Sequence, residues 1–235
     1  MNLLSGEGVI ARIREETDTV LLSFSTGKDS IATWLALRPY FRVVPYYLYG
    51  IPDLSFINKS LKYYEEFFDT KIHQLPHPSL ARKLKNMVFQ APENCELIYE
   101  ANIPNINYLD QMQMVAKKTG VKNPWVATGL RAADSPMRRI VINKRGAINY
   151  NEQKFYPIWD WNKKRLINEL TKANIKLPVD YKLFGRSFDG IDYRFLKPLK
   201  DNFPEDYQKV IDIFPFARLE IMRREAHIRH MEQKK

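Results

Sequence analysis

The chain of 235 residues has a single cysteine, Cys95, and only four histidines. One thiol builds no intramolecular disulfide, no CxxC zinc site and no iron–sulfur cluster, which excludes structural zinc and cluster chemistry for this chain alone. His227 and His230 stand at i, i+3 on a basic stretch, with no second pair to complete a metal site. Long hydrophobic runs are missing, and the first residues carry Glu7, Glu15 and Glu16 in place of a signal peptide. The expectation is a cytoplasmic protein without a membrane partner, which leaves the Asn58-Lys59-Ser60 sequon without meaning. Internal repeats and low-complexity segments are also absent.

Acidic charge is in short supply: 37 Lys and Arg face 27 Asp and Glu, a net charge of +10. Such a balance favours anionic partners, a nucleotide first and nucleic acid second. Much of the excess falls late, at Lys163-Lys164-Arg165, Arg223-Arg224, Arg229 and Lys234-Lys235. Solvated helix faces account for these residues without any partner. The length and the 45% hydrophobic content suit one domain with an appendage, with enough core to need no covalent staple.

What is present is an alternation of strand-like and helix-like segments, the pattern of an α/β domain with an open, mainly parallel twisted sheet and flanking helices. Strands are expected at Val20–Phe24, Val43–Leu48, Lys71–Leu75 and Trp125–Thr128. Helices are expected from Asp29, from Phe56 to Phe68, and from Asn107 to Lys118 with Gly120 as the stop; the stretch from Leu80 to Tyr99 reads as an interrupted one. Beyond Leu177 the prolines Pro178, Pro198, Pro204 and Pro215 break up short basic helical pieces. The division expected is residues 1–177 as a nucleotide-binding domain and 178–235 as a helical extension packed on it.

Between the first strand and its helix lies Ser25-Thr26-Gly27-Lys28-Asp29-Ser30. A strand turning through glycine into a helix leaves backbone N–H groups unpaired at the helix start, which with the helix dipole form an anion site. Lys28 adds a cation, and the hydroxyls of Ser25, Thr26 and Ser30 add donors. The P-loop of kinases and GTPases is excluded, because its first glycine position is Leu22 here and Asp29, not a hydroxyl residue, follows Lys28. After the fourth strand comes Gly129-Leu130-Arg131-Ala132-Ala133-Asp134-Ser135-Pro136-Met137-Arg138. Two arginines at this spacing suit a second anionic group, since each supplies a permanently charged fork of donors. Asp134 serves better to orient an arginine than as an acid or base. A third segment, Tyr156-Pro157-Ile158-Trp159-Asp160-Trp161, precedes a helix that Asp160 or Asn162 can cap.

The first segment resembles the pyrophosphate loop, S-x-G-K-D-S, of the adenine nucleotide alpha hydrolases, and within them the phosphoadenosine phosphosulfate (PAPS) reductase-like family. The second is similar to that family's G-x-R-x-x-(D/E)-S-x-x-R signature, matched at Gly129, Arg131, Asp134, Ser135 and Arg138. The third resembles its Y-P-I-x-D-W segment. Together they cover about Val20 to Leu170. The resemblance implies an adenine nucleotide, ATP or PAPS, held by Ser25, Thr26, Gly27, Lys28, Asp29 and Ser30, by Gly129, Arg131, Ser135 and Arg138, and by Tyr49 near the base. Lys28, Arg131 and Arg138 become the candidate catalytic residues. Mg²⁺ would accompany ATP, with Asp29 or Asp53 as low-ranked ligands; Asp29 is favoured as a helix cap instead.

Reductases of this family resemble one another in a C-terminal cysteine that this chain lacks. Cys95, between Glu93 and Glu96, is expected to be a buried structural residue and a poor nucleophile. The reading is therefore an ATP pyrophosphatase or adenylyltransferase that cleaves ATP between the α- and β-phosphates and adenylylates an acceptor. The alternatives are a nucleotide-dependent nucleic-acid-binding component using the basic C-terminal region, and a reductase subunit that borrows a partner's thiol. A homo-oligomer or a partner subunit is compatible with each.

Overall fold

The computed structural model describes Leu3 to Gln233; Lys234 and Lys235 lie outside these residues. In chain order the elements are α1 (Gly6–Arg14), β1 (Thr19–Ser23), α2 (Lys28–Leu37), β2 (Arg42–Tyr49), α3 (Ser55–Phe68), β3 (His73–Pro76), α4 (Pro78–Lys85), α5 (Pro92–Glu100) and α6 (Tyr108–Thr119). They continue with β4 (Trp125–Ala127), α7 (Pro136–Arg145), β5 (Ile148–Asn149), β6 (Lys154–Phe155), α8 (Lys163–Lys172), α9 (Asp180–Phe184), α10 (Tyr193–Asn202), α11 (Pro204–Ile213) and α12 (Arg218–Glu232). The residues group into two compact units. The first takes those through Leu48, then Leu61–Leu75 and Asn107–Leu177; the second takes Tyr49–Ser60, Pro76–Ile106 and the chain from Pro178 onward.

The six strands form one sheet in the order β3-β2-β1-β4-β6-β5, so the fold is α/β. β1 runs parallel to β2 and to β4, and β4 parallel to β6; β5 pairs antiparallel with β6. The central strand β1 reads Val20-Leu21-Leu22, all fully buried, as a strand covered on both faces must. On one face Leu21, Val44, Tyr46 and Val126 pack with Met112, Val115 and Ala116 of α6. Burying each large apolar side chain of this kind contributes about 1.5–3 kcal/mol. Phe24 meets Trp34 edge-on, and Trp34 stacks on Phe68 with ring centroids 3.9 Å apart.

Several boundaries depart from expectation. The interrupted helix between Leu80 and Tyr99 is two helices, α4 and α5, the second opening on Pro92, whose fixed φ and missing N–H suit a first helical turn. The third strand begins at His73 and ends on Pro76 at the edge of the sheet, where a residue without an N–H costs no ladder bond. Strands β5 and β6 were not expected; two residues each are too few to show an alternating pattern. α6 follows the forecast, with Asn107 and Asp110 forming a reciprocal capping box and Gly120 ending it in the left-handed region.

In the second unit an aromatic cluster joins Phe56, Phe184, Phe188, Phe195 and Phe203. Buried Asp206 caps the start of α3 from 151 residues away: its carboxylate accepts from the Ser55 amide at 2.8 Å and the Ser55 hydroxyl at 2.7 Å, and Lys209 pairs with it at 3.1 Å. Burial works against this charge, but the Ser55 bonds and Lys209 outweigh it and hold the carboxyl below its usual range. A depressed carboxyl stabilises the fold above its unfolded value, about 3.9, and that contribution is lost as pH falls through the native value. Buried Asp180 works the other way, its carboxyl being raised by burial despite the bond from the Phe188 amide. Urea midpoints at neutral pH and near pH 3 should therefore differ less in an Asp206→Asn variant than in the wild type. An unchanged difference would remove Asp206 from the acid response.

Candidate functional site

β1 delivers the chain into the Ser25–Ser30 turn at the carboxyl edge of the sheet, the edge at which open α/β sheets bind ligands. Thr26 is buried and takes φ 57°, left-handed backbone that a non-glycine residue seldom adopts. Its hydroxyl donates to the Ser25 carbonyl at 2.6 Å. Ser30 Oγ closes the turn from inside, accepting from the Ser25 amide at 3.2 Å and donating to the Gly27 carbonyl at 2.9 Å. Ser30 is buried, so its hydroxyl holds the loop in shape from within.

The cap of α2 is Gly27, not Asp29 as expected, and no side-chain oxygen bonds back to the first turn. The positive dipole end of α2 therefore opens on the turn, a place that favours an anion. Asp29 stands inside the first turn because two cations draw its carboxylate: Oδ1 accepts from Arg131 Nε at 2.7 Å, and Oδ2 pairs with Lys28 Nζ at 3.1 Å.

The second segment is locked onto the first. Gly129 follows β4 so closely behind the start of α2 that a Cβ there would stand 2.7 Å from the Asp29 carbonyl carbon and 2.9 Å from the Ser30 nitrogen. Arg131 is 4% exposed, and each guanidinium nitrogen has a partner. Nε donates to Asp29, Nη1 to the Trp161 carbonyl at 3.3 Å, and Nη2 to Asp134 Oδ1 at 2.5 Å. The other Asp134 oxygen accepts from Arg138 Nη1 at 2.7 Å. The result is a chain of alternating charge, Asp29–Arg131–Asp134–Arg138, in which Arg138, 48% exposed at the side chain, meets solvent. Asp134 orients both arginines, as expected. Ser135 caps α7, its Oγ accepting from the Arg138 amide at 3.2 Å.

The third segment forms the wall behind these arginines. The Trp159 carbonyl accepts from the Ala132 amide at 2.8 Å, and the Trp161 carbonyl takes Arg131. Asn162 caps α8 through a bond from the Arg165 amide, whereas Asp160 accepts from the Gly6 amide of α1 at 3.0 Å. The Trp161 carbonyl is a site group that sequence reasoning missed, since a backbone acceptor leaves no mark in residue identity.

Tyr46 and Tyr47 are buried in the sheet. Burial pushes the Tyr46 hydroxyl up to about 12 despite its bond to Ser23, and Tyr108 adds to the rise. Beside Tyr46 opens a cavity of about 230 Å³, apolar on one side at Tyr108, Leu109, Met112 and Val126 and polar on the other at Asn151, Glu152 and Lys154. Tyr49 and Asp53 belong to the second unit. There the Tyr49 carbonyl accepts from the His77 amide at 2.8 Å, and the Asp53 carbonyl accepts from Lys209 Nζ. His77 caps α4, its Nδ1 accepting from the Ser79 amide at 3.0 Å; burial, then Lys83 and Arg82, keep the ring below its ordinary pKa. Cys95 is half-buried rather than buried, on a helix with no buried residue, its Sγ 3.5 Å from the Ala91 carbonyl. Among the described residues no group of three or more His, Cys, Asp or Glu is placed to hold a metal, and no helix is long and apolar enough to cross a membrane.

No family model matches the chain, and no curated protein matches it in sequence. Among solved structures it is similar to a phosphoadenylyl-sulfate reductase from Candida auris in a phosphate complex, at 15% identity and a TM-score of 0.50, over 80% of this chain and 88% of that one. It is also similar to an NH3-dependent NAD synthetase from Campylobacter jejuni in complex with nitrate, at 12% identity and a TM-score of 0.45, over 93% and 92%. The first likeness shows the fold, and on the fold it agrees with the resemblance carried by the three segments.

Proposed function

We propose that this chain, which has the fold of a phosphoadenylyl-sulfate reductase, binds ATP at the Ser25–Ser30 turn and the Gly129–Arg138 segment and cleaves it between the α- and β-phosphates. The observation that carries this reading is the joint between the segments: Gly129 against the backbone of Asp29 and Ser30, and Arg131 bonded to Asp29. Two anion-binding elements held in one rigid piece suit a polyphosphate that must be gripped at both ends. An acceptor oxygen attacks the α-phosphorus, the bond to the bridging oxygen breaks, and pyrophosphate leaves. Such a transfer depends on positioning and charge neutralisation. The start of α2 and Lys28 hold the leaving pyrophosphate; Arg138 meets the terminal phosphate or the acceptor. Arg131, buried and fully bonded, is a positioning residue that fixes Asp29 and Asp134.

Mg²⁺ ordinarily travels on a nucleotide's phosphates with one or two carboxylates. Asp29 does not fit that task, because both its oxygens already face cations, and no step is assigned to a metal here. Reduction is disfavoured: the chain's one thiol is Cys95, and electron transfer through sulfur would need a thiol from elsewhere.

Incubation with ATP and Mg²⁺ should release pyrophosphate, and Lys28→Ala should lower the rate about 100-fold, the usual scale for one charge-stabilising donor. Calorimetry should find ATP bound more tightly than PAPS. Tighter binding of PAPS without Mg²⁺, or thioredoxin-dependent sulfite release, would overturn the reading. Salt-sensitive nucleic-acid binding without pyrophosphate release would move the assignment to the nucleic-acid alternative.

A further inference from the structure

Two short helices carry exposed faces of opposite charge. α7 reads Pro136-Met137-Arg138-Arg139-Ile140-Val141-Ile142-Asn143-Lys144-Arg145, with Arg138, Arg139, Lys144 and Arg145 and no acidic residue. Ile142 is its one buried side chain. Met137, Ile140 and Val141 are 68%, 56% and 39% exposed, and with Lys144 they fall at i, i+3, i+4 and i+7, a single stripe along the helix. α5 reads Pro92-Glu93-Asn94-Cys95-Glu96-Leu97-Ile98-Tyr99-Glu100, with three glutamates and no basic residue, and none of its side chains is buried. Glu93, Glu96, Leu97 and Glu100 fall at the same i, i+3, i+4, i+7 spacing, and Leu97 and Tyr99 are 68% and 81% exposed.

Helices of nine or ten residues are marginal in water unless a face is packed, since isolated helices shorter than about 12–15 residues seldom persist. Large apolar side chains exposed along such a helix mark a surface that a partner covers. The charge and the spacing identify that partner. A basic stripe with apolar anchors asks for an acidic stripe with apolar anchors, and this chain displays one itself.

We propose that the chain associates with a second copy of itself by packing α7 of one copy against α5 of the other. Met137, Ile140 and Val141 meet Leu97 and Tyr99, while Lys144 and Arg145 face Glu96 and Glu100. The inference does not rest on the reaction assigned above: its charged groups lie outside the nucleotide site, and of the Gly129–Arg138 segment it uses Met137 alone.

Charge reversal tests it on the full chain. Sedimentation velocity of the wild type should show self-association that weakens as salt rises. Lys144→Glu with Arg145→Glu should abolish it, and so should Glu96→Lys with Glu100→Lys; each pair lies on the surface, and circular dichroism verifies folding. Mixing the two reversed proteins should restore association, because each then presents the charge that the other lacks. The chain carrying all four substitutions should associate with itself. A wild type that stays monomeric at a concentration of hundreds of micromolar, reversed variants that still self-associate, or a mixture that fails to re-form the complex would each overturn the proposal.

Discussion

Arg131→Ala should destabilise the first unit by about 3–5 kcal/mol, the cost of removing one partner from a buried charge cluster. The side chain is 5% exposed, and its loss leaves the carboxylates of Asp29 and Asp134 without the cation they share. The Trp161 carbonyl loses its donor at the same time. Arg131→Lys should recover only part of the loss, because an ammonium cannot reach three acceptors in the fixed fork that guanidinium presents. Urea unfolding followed by circular dichroism checks both variants. A readout that simple destabilisation would not move is the Arg138 side chain: with Asp134 no longer held from behind, nucleotide affinity should fall even at temperatures where the variant is fully folded. Wild-type affinity in a folded Arg131→Ala protein would remove Arg131 from the site.

Gly129→Ala should be as severe for binding and smaller for stability. The added methyl meets carbonyl and amide atoms of Asp29 and Ser30, not the tip of a flexible side chain. The backbone must move to admit it, at a cost of about 1–3 kcal/mol for overpacking. The atoms that move are those of the first turn of α2, whose N–H groups are proposed to grip the phosphates. A displacement of an ångström there costs a geometry-dependent site roughly 100-fold. Calorimetric titration with ATP on a variant that still shows a cooperative unfolding transition is the check. Unchanged affinity would place the phosphates away from this turn.

How much of this was legible beforehand follows from the distance over which each feature acts. The Ser25–Ser30 turn was readable as a strand-to-helix turn because it lies within six consecutive residues. The Asn162 cap of α8 was readable for the same reason, being a contact between residues three apart. The bond from Arg131 to Asp29 spans 102 residues, and nothing in either local sequence announces the other. The favoured role of Asp29 as a cap failed on this account: the local preference of an aspartate near a helix start was overridden by a distant cation. Asp206 shows the converse, capping the start of α3 across 151 residues. Strands β5 and β6 were invisible because two residues carry no period, although Phe155 is wholly buried.

The division of the chain bears on how it is made. Neither unit is a continuous stretch: the polypeptide passes from the first to the second after Leu48, returns at Leu61, leaves after Leu75, returns at Asn107 and departs again at Pro178. α3 is itself divided, its first residues counted with the second unit and the remainder with the first. During synthesis the sheet cannot be completed until β6 has emerged, and Ser55 waits for Asp206. Contacts so remote in sequence slow folding, because loop closure precedes any gain from the contact. A truncation at Leu177 would therefore remove more than a tail. It would leave Phe56 without Phe184, Phe188 and Phe203 and the start of α3 without its carboxylate, a nascent chain with an apolar surface that aggregates before it folds.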